Sequence, residues 1–252
     1  MNKYRSSTIV SKWKKTSWLL TQRNLSKHVP RTRLFQRDNL TSMLSDYSTV
    51  FFKPTTGSGG VNIIRIKKVP QGYQTQLKSI KSYYSTMNAL FSKLNRFANR
   101  RSYVLQMGIQ LAKTNGKPFD IRVMVQKTDK GVWQSTAVFT KIGTPGMVAT
   151  NYNQGGTLGY FNQTMSGAGY NLNTTKRLEA ELKQLGVNVA KNFDRHMKGF
   201  RELGLDVALD STGKLWILEV NTRPQFYPLK NMKDKTLYTR IVSFAKAYGR
   251  YK

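Results

Sequence analysis

Residues 204–221 constrain this chain more than any other segment. Two apolar runs of strand composition flank the tetrad Asp210-Ser211-Thr212-Gly213, which is turn chemistry, so the segment predicts a β-hairpin. Pairing then sets Asp206 and Glu219 on adjacent strands, where side chains directly opposed on one face lie about 5 Å apart. Two carboxylates that close repel unless a cation neutralises them. Mg²⁺ takes a carboxylate or two plus phosphate oxygens. Asp206, Glu219 and the amide oxygen of Asn221 therefore form a candidate ligand set for a hard divalent cation. Asp210, beside the turn, suits a solvated surface role instead, whereas Glu219 follows Leu-Trp-Ile-Leu, a run that should be buried.

Charge sharpens the point. Lys and Arg number 42 against 12 Asp and Glu, a net charge of +30, so carboxylates are scarce, yet three fall within residues 206–219. The same balance calls for an anionic partner: a nucleotide, a nucleic acid, a wall polymer, an acidic protein or an acidic membrane surface. With 252 residues, 39% of them hydrophobic, the chain can bury a sizeable core as one large domain or two small ones. It contains no cysteine, which excludes disulfides, thiolate zinc sites and a cysteine nucleophile. The apolar stretch at residues 18–20 is too short for a signal-peptide core and no run approaches a membrane span, so the expectation is cytoplasmic residence.

Along the chain, residues 1–40 carry ten Lys and Arg against Asp38 alone, with Trp13 and Trp18 interleaved. That composition fits a basic arm; Leu19, Leu20, Leu25 and Val29 fit an ordered cap equally well. Residues 38–47 read as a short helix, and 49–52 and 61–66 as strands. Between those strands runs Lys53-Pro-Thr-Thr-Gly57-Ser58-Gly59-Gly60, whose backbone amides can form an anion-binding nest with Lys53 as a point charge at its edge. No Gly-Lys-Ser/Thr closes it and a strand follows, which excludes both a Walker loop and a dinucleotide fingerprint. Apolar spacing over residues 73–101 predicts one or two amphipathic helices with the tyrosines in the core. Residues 103–109 are strand-like. Residues 119–125 alternate so that Asp120 and Arg122 share a face, as a salt-bridged surface or with the Arg122 fork on a phosphate or acyl-phosphate. A strand over 132–141, a turn at 143–146 and a polar glycine-rich loop over 151–157 follow. Residues 174–203 have helical spacing with Thr174-Thr175 as cap and Gly186 as an interruption, and residues 236–251 form a terminal helix. His28 and His196 lack catalytic neighbours and receive no role.

In order, these motifs are Lys-Pro with a glycine-rich hairpin, Leu-Gln-Met-Gly-Ile, Asp-Ile-Arg-Val, Thr-Asn-Tyr-Asn-Gln-Gly-Gly, Gly-Leu-Asp-Val-Ala-Leu-Asp and Leu-Glu-Val-Asn-Thr-Arg-Pro. That order resembles the ATP-grasp superfamily, most closely its YheC/YheD-like, spore-coat-associated group. The resemblance covers residues 26–252, behind a basic segment at 1–25. It implies an α+β fold of two subdomains with antiparallel sheets, a lid at about 50–105 and a metal and substrate part at about 106–252, closing on ATP. It also implies Mg²⁺ on Asp206, Glu219 and Asn221, and ATP phosphates on Lys53 and Gly57, Ser58, Gly59 and Gly60. Adenine would meet the hinge at Gln106, Met107, Gly108 and Ile109, while Arg122, Asn151 and Arg223 face phosphate or substrate. The implied activity is ligation of a carboxylate to an amine or thiol through an acyl-phosphate, with spore association. Such enzymes usually carry an α/β domain ahead of this region, so the rival expectation is a noncatalytic basic module on a polyanion such as nucleic acid or a coat or wall polymer, with ATP as a structural ligand.

Overall fold

The computed structural model describes residues 4–57, 59–148, 150 and 155–250. Among them the order is α1 (Lys12–Leu20), α2 (Arg23–Ser26), β1 (Thr32–Leu34), α3 (Arg37–Asp46), β2 (Thr49–Pro54), β3 (Ile64–Val69), β4 (Gly72–Leu77), β5 (Ile80–Tyr84), α4 (Met87–Ala98) and β6 (Tyr103–Met107). There follow β7 (Lys113–Thr114), β8 (Lys117–Lys127), β9 (Trp133–Ile142), β10 (Thr157–Tyr160), α5 (Phe161–Gly167), α6 (Leu172–His196), β11 (Glu202–Leu209), β12 (Leu215–Asn221), a 3₁₀ turn (Tyr227–Asn231) and α7 (Thr236–Ala247).

Two antiparallel sheets organise these elements. The first has the order β1-β6-β2-β3-β4-β5, and α3 and α4 cover it by burying Leu40, Leu44, Leu90 and Leu94 against Phe52 and Leu105. The second runs β10-β9-β8-β11-β12, with β7 beside the start of β8. Alternation along β8 places Phe119, Ile121, Val123 and Val125 under Leu178, Leu182, Val189 and Phe193 of α6. Met124, on the other face, packs with Phe226, Ile241 and Ala245 near α7. Asp120 and Arg122 share the face of Met124, so a helix layer closes one end of that face and leaves the end nearest the first sheet for polar groups.

The N-terminal segment is an ordered cap. Trp18, Leu19, Leu25 and Val29 enter the larger core, Trp18 packs edge-on to Phe193, and Asn192 Nδ2 donates to Trp18 O at 2.8 Å. Both histidines are structural: His196 stacks on Trp18, and His28 Nδ1 pairs with Leu215 O at 2.9 Å.

Three expectations need correction. Residues 73–84 form the hairpin β4–β5 and not a helix, the helix being confined to Met87–Ala98, and Tyr83 lies exposed. The strand expected from residue 61 starts at Ile64. Helix α6 is capped by Asn171, ends at His196 and runs unbroken through Gly186. There a Cβ would lie 2.7 Å from Val125 Cγ2, so glycine lets α6 approach β8.

Candidate active site

Between the sheets lie two adjoining chambers of about 710 and 560 Å³, and Lys141, Asp206 and Glu219 line both. Strand register builds their floor. Arg122, Asp206 and Glu219 are directly paired positions across β8, β11 and β12, and Asp120 pairs with Lys141 of β9 one row along. A bulge in β12 keeps Glu219 on this face. Asp206 pairs with Glu219 but Val207 pairs with Ile217, which leaves Leu218 as the extra residue. Leu215, Ile217 and Val220 thereby all reach the core, although their spacing breaks a period of two.

The carboxylates on this floor are met by cations of the chain. Asp206 Oδ1 accepts from Arg122 Nε at 2.7 Å and lies 2.9 Å from Lys141 Nζ; its Oδ2 accepts from Arg122 Nη2 and Asn221 Nδ2, each at 3.2 Å. Burial alone would raise this carboxyl, but Arg122 and Lys141 outweigh it and hold Asp206 well below the usual carboxylate range. Burial pushes the Asp120 carboxyl up against the pull of Lys141, 3.0 Å away, and the Asp206 charge adds to the rise. The Thr150 hydroxyl donates to Asp120 Oδ2. Glu219 Oε1 lies 3.1 Å from Lys12 Nζ and 3.7 Å from Lys15 Nζ, both on α1. Among the described residues no group of three His, Cys, Asp or Glu side chains is placed to hold a metal. The candidate set instead combines two carboxylates with Asn221, whose Nδ2 faces Asp206 and Gly204 O and leaves Oδ1 to coordinate.

The expected nucleotide-contacting residues surround the same cleft. Lys53 Nζ donates to Gln106 Oε1 at 2.6 Å, and burial pulls its pKa down to about 8. Gln106, Met107, Gly108 and Ile109 line the larger chamber with Lys53. A Cβ on Gly108 would fall 2.7 Å from Thr49 Cγ2, so glycine allows this connection to lie against β2, where Gly108 N donates to Thr49 O at 2.9 Å. Gly57, Gly59 and Gly60 line the smaller chamber, all with positive φ, a backbone region that glycine adopts at no steric cost. Arg122 and Arg223 line it too; Arg122 Nη1 donates to Gln225 O at 3.3 Å, and the exposed Arg223 guanidinium lies 5.0 Å from the Tyr4 ring centre. Ser58 and Asn151 lie outside the described residues.

Three cations at the cleft, Lys141 on the floor and Lys12 and Lys15 on α1, carry no expectation from the sequence. Lys141 stands in the apolar run Ala-Val-Phe-Thr-Lys-Ile, the same signal that marks Glu219. Lys12 and Lys15 could not be told from the other cations of the first forty residues.

Residues 2–251 match the family model described as YheC/D like ATP-grasp. The chain belongs to this ATP-grasp family. It is 26% identical over 226 residues to the endospore coat-associated protein YheD of Bacillus subtilis (strain 168), a match covering 87% of this chain and 49% of YheD. The chain thus spans about half the length of that relative. Among solved structures it resembles the ATP-grasp ligase PsnB complexed with minimal precursor, at a TM-score of 0.53 and 15% identity over 94% of this chain and 60% of that one. It also resembles the ADP complex of purK, an N5-carboxyaminoimidazole ribonucleotide synthetase, at 0.50 and 14% over 93% and 51%. The α+β architecture of paired antiparallel sheets is therefore the ATP-grasp fold. No helix among the described residues is long and apolar enough to cross a membrane.

Proposed function

We propose that this protein binds Mg·ATP between its two sheets and uses it to join a carboxylate to an amine or a thiol. The observation that carries the reading is the row Arg122–Asp206–Glu219, with Asn221, on a floor shared by two chambers. One chamber has the size, hinge and lysine for a nucleotide. The other has the glycine-rich segment and arginines for the phosphate end and an acceptor.

Glu219 and Asn221 fit a hard divalent cation, with Asp206 behind them. Asp206 already takes four donor contacts, a full complement for a carboxylate. Glu219 and Asn221 are the ligands with capacity to spare, and Asp206 orients Asn221 through its amide. When bound, the cation neutralises charge developing on the transferred phosphoryl group. Lys53 and the amides of Gly57, Gly59 and Gly60 hold the phosphates, and the backbone of residues 106–109 faces the base. The acceptor carboxylate forms a bond to the γ-phosphorus as the bridging P–O bond to ADP breaks. The amine nitrogen or thiol sulfur then bonds to the acyl carbon, phosphate leaves, and the nucleophile's proton passes to solvent. Arg122 keeps the floor charge-compensated, and Arg223, exposed at the rim, meets the anionic acceptor. YheD's name as an endospore coat-associated protein extends the proposal to a place of action at the spore.

The test is thermal unfolding with Mg²⁺ and a nonhydrolysable ATP analogue. Ligand at a hundred times its Kd adds about 2.7 kcal/mol, and each kcal/mol moves the midpoint roughly 2–4 °C at this size. A Mg²⁺-dependent rise of about 5–10 °C that Glu219→Gln abolishes is expected. No rise in the wild type at saturating nucleotide refutes the proposal.

A further inference from the structure

Helix α1 touches both sides of the cleft. Lys12 N donates to Thr55 O at 2.7 Å and Lys12 Nζ donates to Gly57 O at 2.6 Å, which ties the helix start to the glycine-rich segment after β2. The same Nζ lies 3.1 Å from Glu219 Oε1 on the second sheet. Behind these contacts the helix is fixed: Ser11 caps it by accepting from Lys14 N, and Trp18 and Leu19 are buried in the larger core. Lys12 forms part of the smaller chamber's wall together with Gly57, Gly59 and Glu219.

A lysine ammonium is a point charge on a flexible stem and exchanges partners without moving its backbone. Here that charge stands on an anchored helix between the segment suited to phosphates and the carboxylate suited to a cation. A divalent cation on Glu219 takes up the charge that now holds Lys12, and a triphosphate beside it offers a stronger anion. We propose that Lys12 is a phosphate-binding residue delivered by α1, which passes from Glu219 to the phosphate chain when Glu219 takes the cation. Lys15, deeper on the helix at 3.7 Å from Glu219, stays behind. This inference rests on the nucleotide reading above and adds to it a function for the N-terminal helix.

Calorimetry on the full chain with Mg²⁺ tests it, using a nonhydrolysable triphosphate analogue and, separately, AMP. Lys12→Met is expected to raise the Kd for the analogue about tenfold or more, the loss of one charge-assisted contact, while AMP affinity changes by less than about twofold. Lys12→Gln keeps a donor for Gly57 O without the charge and should show the same loss, which guards against a folding defect in Lys12→Met alone. Lys14→Ala removes like charge from the exposed side of the same helix and should bind as wild type does. Unchanged analogue affinity in both Lys12 variants overturns the inference; so does an equal loss for AMP, or an equal loss in Lys14→Ala. Failure of the wild type to bind either nucleotide removes the nucleotide reading itself, whereas wild-type binding with indifferent Lys12 variants removes this inference alone.

Discussion

Replacing Lys141 by methionine should destabilise the protein in a pH-dependent way that identifies the carboxylate left behind. Lys141 Nζ lies 2.9 Å from Asp206 and 3.0 Å from Asp120, with its side chain 9% exposed. In the variant Asp206 keeps Arg122 and Asn221, but Asp120 keeps only the Thr150 hydroxyl, at a side-chain exposure of 5%. Stranding one partner of a buried ion pair costs about 3–5 kcal/mol, which for a chain of this size lowers the midpoint by roughly 6–20 °C near neutral pH. Asp120 is already raised by burial, and losing the opposing Lys141 raises it further. In the unfolded chain an aspartate ionises near 3.9. Between that value and the raised one the folded state binds the proton and the unfolded state does not, so the variant loses stability as pH rises through the folded pKa. Denaturant unfolding of wild type and Lys141→Met at about pH 5 and about pH 7.5 should show the smaller deficit at the lower pH. The double variant Lys141→Met, Asp120→Asn should recover much of the loss at the higher pH. An equal deficit at both pH values, or no recovery with Asp120→Asn, refutes the argument that a stranded Asp120 is the cause.

The lowered Lys53 predicts proton-coupled nucleotide binding: with its pKa near 8, binding above that pH requires the ammonium to be restored. Affinity for the triphosphate analogue should fall by up to about tenfold per pH unit above 8, with proton uptake visible when calorimetry is repeated in buffers of different ionisation enthalpy, and Lys53→Met should flatten both. Gly108→Ala should push the hinge off β2, because its Cβ would meet Thr49 Cγ2 at 2.7 Å and Thr49 O at 3.0 Å. Overpacking of this kind costs about 1–3 kcal/mol, read as a lower midpoint together with weaker nucleotide binding.

The part of the site that was legible came from strands whose chemistry and periodicity agree. In residues 204–221 the apolar runs, the Asp-Ser-Thr-Gly turn and the misplaced Glu219 all pointed to one hairpin, and Asp206 does pair with Glu219. Residues 73–84 misled for an identifiable reason. The β4–β5 turn is made by Lys78 and Ser79, with Lys78 at φ 53 where Asn or Gly is the usual sign of such a turn. The exposed Ile80 and Tyr83, spaced by three from Leu77, then imitate a helix face. Gly186 misled in the opposite sense: its lack of a side chain serves the approach of α6 to β8 and leaves the helix intact. The contributions of Lys12 and Lys15 depend on where α1 docks, more than two hundred residues from Glu219 in sequence, and no local pattern encodes that.

The site also divides the chain's charge into two separate questions. Three of the twelve carboxylates, Asp120, Asp206 and Glu219, stand at the cleft with ten lysines and arginines, among them Lys12, Lys15, Lys53, Arg122, Lys141 and Arg223. Cations therefore outnumber carboxylates at the cleft, the sign that suits the net negative charge of a magnesium triphosphate. Most of the +30 still lies away from the cleft. Long-range attraction from such a surface concentrates anions and weakens as salt screens it, whereas the buried contacts on Asp206 are screened far less. A nucleotide affinity set by the cleft should accordingly change little with ionic strength compared with any affinity for a large anionic acceptor, and the steepness of the salt dependence separates what the floor recognises from what the surface gathers.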